Sequence, residues 1–403
     1  MPEPVIVATA RSPIGRAFKG SLVDIRPDDL AAQIVGAVLE KVPELPVAEI
    51  EDLMLGCGLP GGEQGFNMAR VVSILAGLGD VPGTTVNRYC SSSLQTIRMA
   101  AHAVKAGEGD AFIAAGVECV SRFTKGNSDS LPDTENPLFA PAKARSAERA
   151  LGGGDPWQPG GTLPDIYIAM GQTAENVAEL ENVSREDMDR FGVRSQNRAE
   201  AAIERGFFDR EITPVTLPDG SVVSADDGPR AGTTYEAVSQ LKPVFRPDGK
   251  ITAGNACPLN DGAAAVVVMS DTKARGLGIT PLARIISSGV TALNPEIMGL
   301  GPIEACRAAM ARAGMKIGDI DLVEINEAFA AQVIPSMAHL GIADDQINVN
   351  GGAIALGHPF GMTGARIMTT LLNGLEDADA TIGMESMCVG GGQGMAMIVE
   401  RLH

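Results

Sequence analysis

Short apolar runs bounded by glycine alternate along the chain with alanine-rich stretches in which apolar residues recur at helical spacing. This alternation is typical of strands and helices arranged around a mostly parallel sheet. The apolar runs predict strands at 5–10, 52–58, 83–87, 111–116, 264–269, 282–289, 321–325 and 395–399. Helical spacing predicts helices over 28–42, 91–107 and 363–374. The last two end at glycine, which adopts a left-handed backbone at little cost.

Two parts of the chain share the same order of elements. The segment Ile50-Glu-Asp-Leu-Met-Leu precedes Cys90 by 40 residues, and Ile320-Asp-Leu-Val-Glu-Ile precedes His358 by 38 residues. An aspartate that opens a strand-like run follows 20 residues after Cys90 and 21 residues after His358. Two related halves would place Cys90 and His358 at equivalent turns. The alternative is a chance similarity between α/β elements.

Residues 121–250 differ from both parts, because proline, glycine and charged residues are frequent there and strand patterns are scarce. One long helix is predicted in this region, with Ser184 as N-cap and Asp187 as a capping-box partner, and it runs to Gly206. A stretch of this length is too long for an ordinary loop. It indicates an inserted, lid-like subdomain.

Composition narrows the range of partners. The 403 residues include 32 Lys and Arg against 50 Asp and Glu, a net charge of −18, which repels phosphate backbones and anionic lipid. Hydrophobic residues make up 45% and aromatic residues only 4% of a chain with 48 glycines, so the core must be built from small and aliphatic side chains. The six cysteines form no CxxC pair, and no apolar run approaches the ~18 residues of a membrane span. We expect free thiols and a cytoplasmic protein.

Two cysteines stand in segments that suit nucleophilic chemistry. Cys90 directly precedes the helix predicted over 91–107, and the N–H groups and dipole at a helix N-terminus favour the thiolate. Cys388 opens the glycine-rich segment Cys-Val-Gly-Gly-Gly-Gln-Gly, in which backbone N–H groups can turn inward as an oxyanion site requires. The alternatives are a buried cysteine that acts as a small hydrophobe and a glycine run that only makes a tight turn.

Two further polar residues lie in short motifs. His358 stands in Gly351-Gly-Ala-Ile-Ala-Leu-Gly-His-Pro-Phe-Gly-Met-Thr-Gly-Ala-Arg, where a fixed imidazole can act as a base or as a hydrogen-bond donor. Asn326 follows the strand predicted at 321–325, at the carboxyl edge where α/β sheets place ligand sites. For a lone histidine, a purely structural role is the alternative.

Together these segments resemble the thiolase family, the acyl-CoA:acetyl-CoA acyltransferases. The resemblance covers essentially the whole chain, and its motifs occur in the order of the family. It implies an α/β thiolase fold, in which two similar βαβαβαββ halves form a five-layered αβαβα arrangement with an inserted loop domain. The resemblance also implies three domains. The N-terminal half consists of residues 1–120 and 251–272, and the C-terminal half consists of residues 273–403. Residues 121–250 form the loop domain, a lid that binds CoA.

The resemblance also implies a reaction, namely cleavage of a 3-oxoacyl-CoA by CoA, as in fatty acid β-oxidation, or the reverse Claisen condensation. Cys90, deprotonated by His358, would attack the keto carbon and become acylated. Cys388 would be the second catalytic thiol, an acid in cleavage and a base in synthesis. His358 and a water held by Asn326 would stabilise the acetyl-CoA enolate, and the N–H groups of Cys90 and Gly390 would bind the oxyanion of the acyl-cysteine.

Four substrate contacts follow from the same resemblance. Arg230 would meet the nucleotide end of CoA, unless it is a solvated surface arginine. Met298 would line the acyl pocket, unless it is a core methionine. Met170 lies in Ala-Met-Gly, where biosynthetic acetoacetyl-CoA thiolases carry His-Met-Gly, and Cys257 precedes proline where many thiolases have a serine beside the pantetheine. Both departures bear on the acyl chain length.

The resemblance implies no metal and no cofactor, because CoA thioesters are the substrates. We expect a homodimer or homotetramer that binds acyl-CoA and CoA, and neither nucleic acid nor membranes. Two alternatives stay open. One is a ketoacyl synthase-like condensing enzyme, whose usual His-His or His-Asn triad conflicts with Cys388 and Asn326. The other is a thiolase-like acyl-CoA-binding or lipid-binding protein without catalytic activity.

Overall fold

A computed structural model describes residues 2–126, 129, 131–161 and 163–403. Its strands are β1 (Pro4–Arg11), β2 (Gly15–Arg16), β3 (Asp52–Gly56), β4 (Gly83–Val86), β5 (Ala111–Cys119), β6 (Val215–Thr216), β7 (Val222–Val223), β8 (Asn260–Ser270), β9 (Ala283–Ala292), β10 (Leu322–Ile325), β11 (Ile382–Val389) and β12 (Gln393–Arg401). Its helices are α1 (Pro27–Glu40), α2 (Met68–Leu75), α3 (Ser92–Ala106), α4 (Ala140–Ala150), α5 (Met170–Leu180), α6 (Arg185–Glu204), α7 (Tyr235–Val238), α8 (Asp271–Leu277), α9 (Gly301–Ala313), α10 (Ala330–Leu340), α11 (Ala353–Leu356) and α12 (Thr363–Asp377). None of the helices in this part of the chain is long and apolar enough to cross a membrane.

Two half-sheets repeat one pairing scheme. In the first, β3 pairs in parallel with β4 and β5, β5 pairs antiparallel with β8, and β8 pairs antiparallel with β1. In the second, β10 pairs in parallel with β11, β11 pairs antiparallel with β12, and β12 pairs antiparallel with β9. A parallel β-bridge between Val323 of β10 and Ile347 corresponds to the pairing of β3 with β4 in the first half-sheet. The half-sheets join where β1 pairs with β9 at Val5 and Ile6.

Helices cover both faces of both half-sheets, and strands such as β1, β5, β8 and β11 are therefore buried along nearly their whole length. One buried cluster packs α1 and α2 on the first half-sheet, through residues such as Leu30, Ile34, Val72, Leu53 and Ile113. A second places α3 and α12 between the half-sheets, through Leu94, Met368, Val266 and Met397. A third packs α9 and α10 on the second half-sheet, through Ala309, Val333 and Ile398. The order of layers is therefore α, β, α, β, α, as predicted.

The region between β5 and β8 contains helices α4 to α7 and the two-stranded sheet of β6 and β7. Helix α6 begins as predicted, because the Ser184 hydroxyl accepts a 3.0 Å hydrogen bond from the N–H of Asp187. Its last residue is Glu204, and Gly206 follows in a left-handed conformation. The strand β8 then returns to the first half-sheet between β1 and β5. The exact boundaries of the loop domain stay a prediction.

Candidate active site

The N-termini of α3 and α12 meet in the middle layer of the fold. The Ser93 hydroxyl accepts a 2.9 Å hydrogen bond from the N–H of Ala365. Gly364 permits this approach, because a Cβ at that position would lie 2.3 Å from the backbone nitrogen of Leu94. The turns that precede the two helices, which carry the predicted nucleophile and the predicted base, are therefore held together.

Cys90 lies in a single turn of 3-10 helix before α3, and it is 8% exposed. The residue before it, Tyr89, has a φ of 41°, a left-handed backbone that is costly for a residue with a side chain and is typical of functional turns. Burial raises the pKa of the Cys90 thiol to about 11, and hydrogen bonds from the N–H groups of Gly390 and Cys90 oppose that rise. The predicted oxyanion donors thus both face the Cys90 sulfur.

His358 is almost fully buried, and its contacts determine its tautomer. The Thr363 hydroxyl donates to the carbonyl of Pro359 at 2.7 Å, so it accepts from His358 Nδ1–H at 2.6 Å. The lone pair is therefore on Nε2, which lies 3.3 Å from the side-chain nitrogen of Asn326. Burial lowers the pKa of His358 to about 3, and the positive charge of Arg366 lowers it further. The resting imidazole is neutral and able to accept a proton.

Asn326 connects the imidazole to the strand that carries the second cysteine. Its N–H donates to the carbonyl of Ser386 at 2.9 Å, two residues before Cys388. Its carbonyl accepts from the side chain of Gln332 at 3.1 Å. The side-chain oxygen of Asn326 is buried and has no hydrogen-bond partner among the described residues. A buried acceptor of this kind is well placed to hold a water molecule.

Three thiols gather around the same point. Burial raises the pKa of Cys388 well above its ordinary value, and the nearby thiols of Cys90 and Cys257 raise it further. The pKa of Cys257 is raised by burial and by the same proximity of Cys90. All six cysteines of the chain are free. Cys388 is therefore a buried neutral thiol beside Cys90, which suits a proton donor.

A cavity of about 420 Å³ lies beside these groups. Its wall includes Cys90, Gly390 and Met170. It also includes Phe360, whose ring packs edge-on against His358 with 5.2 Å between centroids. Since the nucleophile, a backbone donor and a neighbour of the base all border one space, a thioester that enters it can meet all of them.

Comparison with known proteins identifies the family. Residues 4–272 match the family described as "Thiolase, N-terminal domain", and residues 279–401 match "Thiolase, C-terminal domain". The chain belongs to the thiolase family. It is 43% identical to a 3-ketoacyl-CoA thiolase of Aeromonas hydrophila and 42% identical to a beta-ketoadipyl-CoA thiolase of Acinetobacter baylyi, with 100% of each chain covered. The crystal structure of the Bacillus anthracis acetyl-CoA acetyltransferase matches with a TM-score of 0.87 and 37% identity, over 100% of this chain and 99% of that chain.

The predicted family and fold are thus confirmed, and the chain is an acyltransferase of the thiolase type. The predicted roles of single residues in this thiolase are supported by geometry alone and stay predictions. Among the predicted substrate contacts, Met170 lines the cavity and Cys257 lies near Cys90. Met298 is buried in the cluster that packs α9 and α10 on their half-sheet, and it is not part of the cavity wall.

Arg230 is an exposed residue of the segment between β7 and α7. Its backbone N–H donates to the Gln196 side chain at 2.8 Å. Gly228, two residues earlier, approaches the loop of His358 so closely that a Cβ there would lie 2.2 Å from the carbonyl oxygen of Ala355. Burial lowers the pKa of Arg230, and the nearby charge of Arg16 lowers it further. Two arginines therefore provide a cationic region near the catalytic loop of an acidic thiolase.

Sequence reasoning missed three residues that hold the catalytic loop. The Asn260 side chain accepts from the N–H of His358 at 3.0 Å. Glu118 is fully buried and accepts from the N–H groups of Gly58 at 2.7 Å and Gly361 at 2.9 Å, so it ties β3 to the same loop. Thr363, which fixes the tautomer, lies within the histidine motif itself, and its position five residues after His358 was the available signal. In the described part of the chain, no group of three or more His, Cys, Asp or Glu side chains could hold a metal ion.

Proposed function

We propose that this thiolase cleaves a 3-oxoacyl-CoA with CoA into acetyl-CoA and a shortened acyl-CoA, and that it also catalyses the reverse Claisen condensation. One observation carries the proposal, namely that Cys90 and Gly390 border the same cavity, where their N–H groups lie close enough to the Cys90 sulfur to lower the pKa of its thiol. Attack by that sulfur on a keto carbon produces an oxyanion next to the same atom. Two preorganised N–H donors are what such an oxyanion requires.

In the first step, the Cys90 thiol loses its proton to His358 Nε2 and its sulfur attacks the keto carbon of the substrate. The tetrahedral oxyanion then collapses, and the carbon–carbon bond breaks to leave an acyl-cysteine and the carbanion of acetyl-CoA. His358 and a water at the unpaired side-chain oxygen of Asn326 stabilise this carbanion as its enolate. The hydrogen bond between His358 and Asn326 supports this pairing of roles.

In the next step, Cys388 donates its proton to the carbanion, and acetyl-CoA leaves. A thiol with a pKa well above the ordinary value is protonated at neutral pH, which suits this role. The Cys388 thiolate then takes the proton of incoming CoA, whose sulfur attacks the acyl-cysteine. The shortened acyl-CoA is released as the Cys90 sulfur leaves, and Cys90 takes back the proton that His358 has held since the first step. In the condensation, the same thiolate removes the α-proton of acetyl-CoA. No metal or cofactor enters these steps.

The substrate is held along the loop domain in this proposal. Arg230 and Arg16 bind the phosphates of CoA. Because the protein as a whole is negatively charged, it needs a local cationic region to attract these anionic groups. Cys257 and Met170 border the thioester end, and Met298 supports the pocket from the core. The names of the two curated relatives differ in the acyl group, so the acyl group is the feature that distinguishes enzymes of this type.

We also propose a homodimer or homotetramer. The edge strand β4 is only half-buried, and beside it the apolar side chains of Phe66, Ile74 and Leu75 are 98%, 53% and 50% exposed. An unpaired edge strand next to exposed apolar side chains is typical of a surface that a second chain covers. Six free thiols support a cytoplasmic location.

Incubation with acetoacetyl-CoA and free CoA tests the activity. Loss of the 3-oxoacyl absorbance that depends on CoA supports a thiolase, whereas no loss with any chain length would refute the proposal. Cys90→Ala should abolish turnover, because Cys90 is the only one of the three neighbouring thiols that borders the cavity. Intact-mass spectrometry should locate an acyl adduct on Cys90 in the wild type, and an adduct elsewhere would contradict the mechanism.

A further inference from the structure

One side of the cavity beside Cys90 is formed by a short segment of irregular backbone. Residues 166–170, called the wall segment below, all border this cavity. Up to the start of α5, the wall segment belongs to no helix or strand. Ile166 lies against the glycine turn that carries one predicted oxyanion donor, because a Cβ at Gly391 would lie 3.5 Å from Ile166 Cδ1. Contacts from other parts of the chain must therefore fix the wall segment in place.

The side chain of Glu296 holds the chain where it enters the wall segment. Its carboxylate accepts a 2.7 Å hydrogen bond from the indole N–H of Trp157 and a 2.8 Å hydrogen bond from the backbone N–H of Asp165. These three residues are 7%, 2% and 1% exposed, in that order. A buried carboxylate needs such donors, and hydrogen bonds to a charged acceptor are about twice as strong as those between neutral groups. The carboxylate therefore fixes the residue directly before the wall segment.

The backbone of Glu296 holds the other end of the wall segment. Its carbonyl oxygen accepts a 2.9 Å hydrogen bond from the side chain of Asn176 on α5, the helix that begins at the last residue of the wall segment. Glu296 is itself fixed in the turn after β9, since its N–H donates to the Asn294 side chain at 2.9 Å. One residue thus connects both ends of the wall segment to the second half-sheet.

Ile168 places these hydrogen bonds directly behind the cavity beside Cys90. It borders that cavity and also a separate cavity of about 70 Å³, whose wall includes Trp157 and Glu296. The wall segment is thus a partition, with the cavity beside Cys90 on one side and the Glu296 carboxylate on the other. Movement of this partition toward the smaller cavity would reduce its contact with a molecule bound beside Cys90.

We propose that Glu296 is a positioning residue that determines how well the enzyme binds long acyl groups, because its hydrogen bonds hold the wall segment against them. This inference rests on the proposed function, which places the acyl group in the cavity beside Cys90. An apolar acyl group gains binding free energy in proportion to the apolar area that is buried. A loosened wall segment therefore disfavours long acyl groups more than short ones, because short ones bury fewer methylene groups against it.

Thiolysis of a series of substrates from acetoacetyl-CoA to 3-oxodecanoyl-CoA tests the proposal in the wild type and in Glu296→Gln. Glutamine keeps the size of the side chain, but its amide turns an NH2 group toward either Trp157 or Asp165, so one hydrogen bond is lost. The ratio of kcat/KM for the longest substrate cleaved to that for acetoacetyl-CoA should fall about tenfold, the contribution of one to two buried methylene groups. The change should lie mainly in KM, as for an interaction made equally in the ground state and the transition state.

Two further variants accompany Glu296→Gln. Trp157→Phe keeps the carboxylate and an aromatic ring and removes only the indole donor, so it should change the ratio in the same direction by a smaller factor, and it decides the matter if Glu296→Gln does not fold. Glu304→Gln, at an exposed position of α9 outside the cavity wall, is the matched control and should keep the wild-type ratio.

The only tryptophan of the chain reports on the same contact without turnover. Glu296→Gln should shift the Trp157 emission to longer wavelength and increase its quenching by acrylamide. Such a shift with an unchanged ratio of kcat/KM would overturn the proposal, as would an equal loss for all chain lengths, because Glu296 would then have a merely structural role. A wild type that cleaves acetoacetyl-CoA alone would also overturn it. Failure of the wild type to cleave any 3-oxoacyl-CoA would instead refute the proposed function.

Discussion

Replacement of Glu385 by glutamine should make the stability of the protein less sensitive to rising pH. Glu385 lies on β11 three residues before Cys388, it is fully buried, and neither carboxyl oxygen has a hydrogen-bond partner among the described residues. Its register partner on the parallel strand β10 is Glu324, and Arg366 is the cation that acts on both. Two carboxylates and one guanidinium have a net negative charge, which is costly in a buried site unless one carboxyl keeps its proton.

The size of the effect follows from the retained proton. Burial raises the pKa of Glu385 well above the ordinary value of 4.5, and the charge of Glu324 opposes the attraction of Arg366. The folded state thus binds a proton that the unfolded chain releases. This contribution to the free energy of unfolding is fully present below the unfolded pKa, and it falls by about 1.4 kcal/mol per pH unit as the pH rises toward the folded pKa. Glutamine has no proton to lose, so it removes this pH-dependent loss of stability.

Urea denaturation followed by circular dichroism at pH 5, 6 and 7 measures this difference. The free energy of unfolding of the wild type should decline more steeply with rising pH than that of Glu385→Gln, by up to about 1.4 kcal/mol per pH unit. Glu376→Gln, at an exposed position of α12, is the control and should follow the wild type. Equal pH dependence in wild type and Glu385→Gln would refute the reasoning, because it would mean that Glu385 ionises freely in the fold.

Three other substitutions test the catalytic arrangement. Cys388→Ala should still allow slow acylation of Cys90, which mass spectrometry detects as an adduct. The rate of thiolysis should fall by about 10²–10⁴-fold, which is the usual contribution of an acid–base group. Turnover at the wild-type rate would show that Cys388 has no part in the mechanism. Thr363→Val removes the acceptor that fixes the tautomer of His358, so kcat should fall by about tenfold or more with little change in KM. An unchanged kcat would contradict the assignment of the proton to His358 Nδ1. Gly364→Ala places a Cβ 2.3 Å from the backbone of α3. It should lower both the melting temperature and kcat, whereas Gly276→Ala, where a Cβ would meet nothing within 4 Å, should lower neither.

The alternation of apolar runs was sufficient to predict most strands, but it did not predict the full length of β11. That strand reads Ile-Gly-Met-Glu-Ser-Met-Cys-Val, and its polar residues Glu385 and Ser386 are as buried as their apolar neighbours. Periodicity assumes that a polar side chain faces water. In the interior of a five-layered fold that assumption fails, because both faces of the strand are covered by helices.

The candidate site shows the same division between what local sequence predicts and what only the fold can show. The equivalence of the turns before α3 and α12 followed from matched spacings, and the two helices do meet at their N-termini. The residues that form hydrogen bonds to the turn of His358 could not be predicted from these spacings. Asn260 is 98 residues from His358, and Glu118 is 243 residues from Gly361, so nothing in the local pattern links them. Sequence reasoning could have found Thr363, because it lies only five residues after His358 in the same motif.

The proton states of Cys90 and His358 explain how this site can be reactive only when substrate is present. Burial moves the two pKa values apart, to about 11 for the thiol and about 3 for the imidazole, so the resting pair is neutral. Transfer of the proton becomes favourable when the attack of sulfur passes the charge to an oxyanion that the N–H groups of Cys90 and Gly390 can bind. The burial that keeps the thiol protonated also keeps water from competing for those donors. In the proposed mechanism, activation of the nucleophile and stabilisation of the oxyanion are therefore one event, which entry of the thioester would trigger.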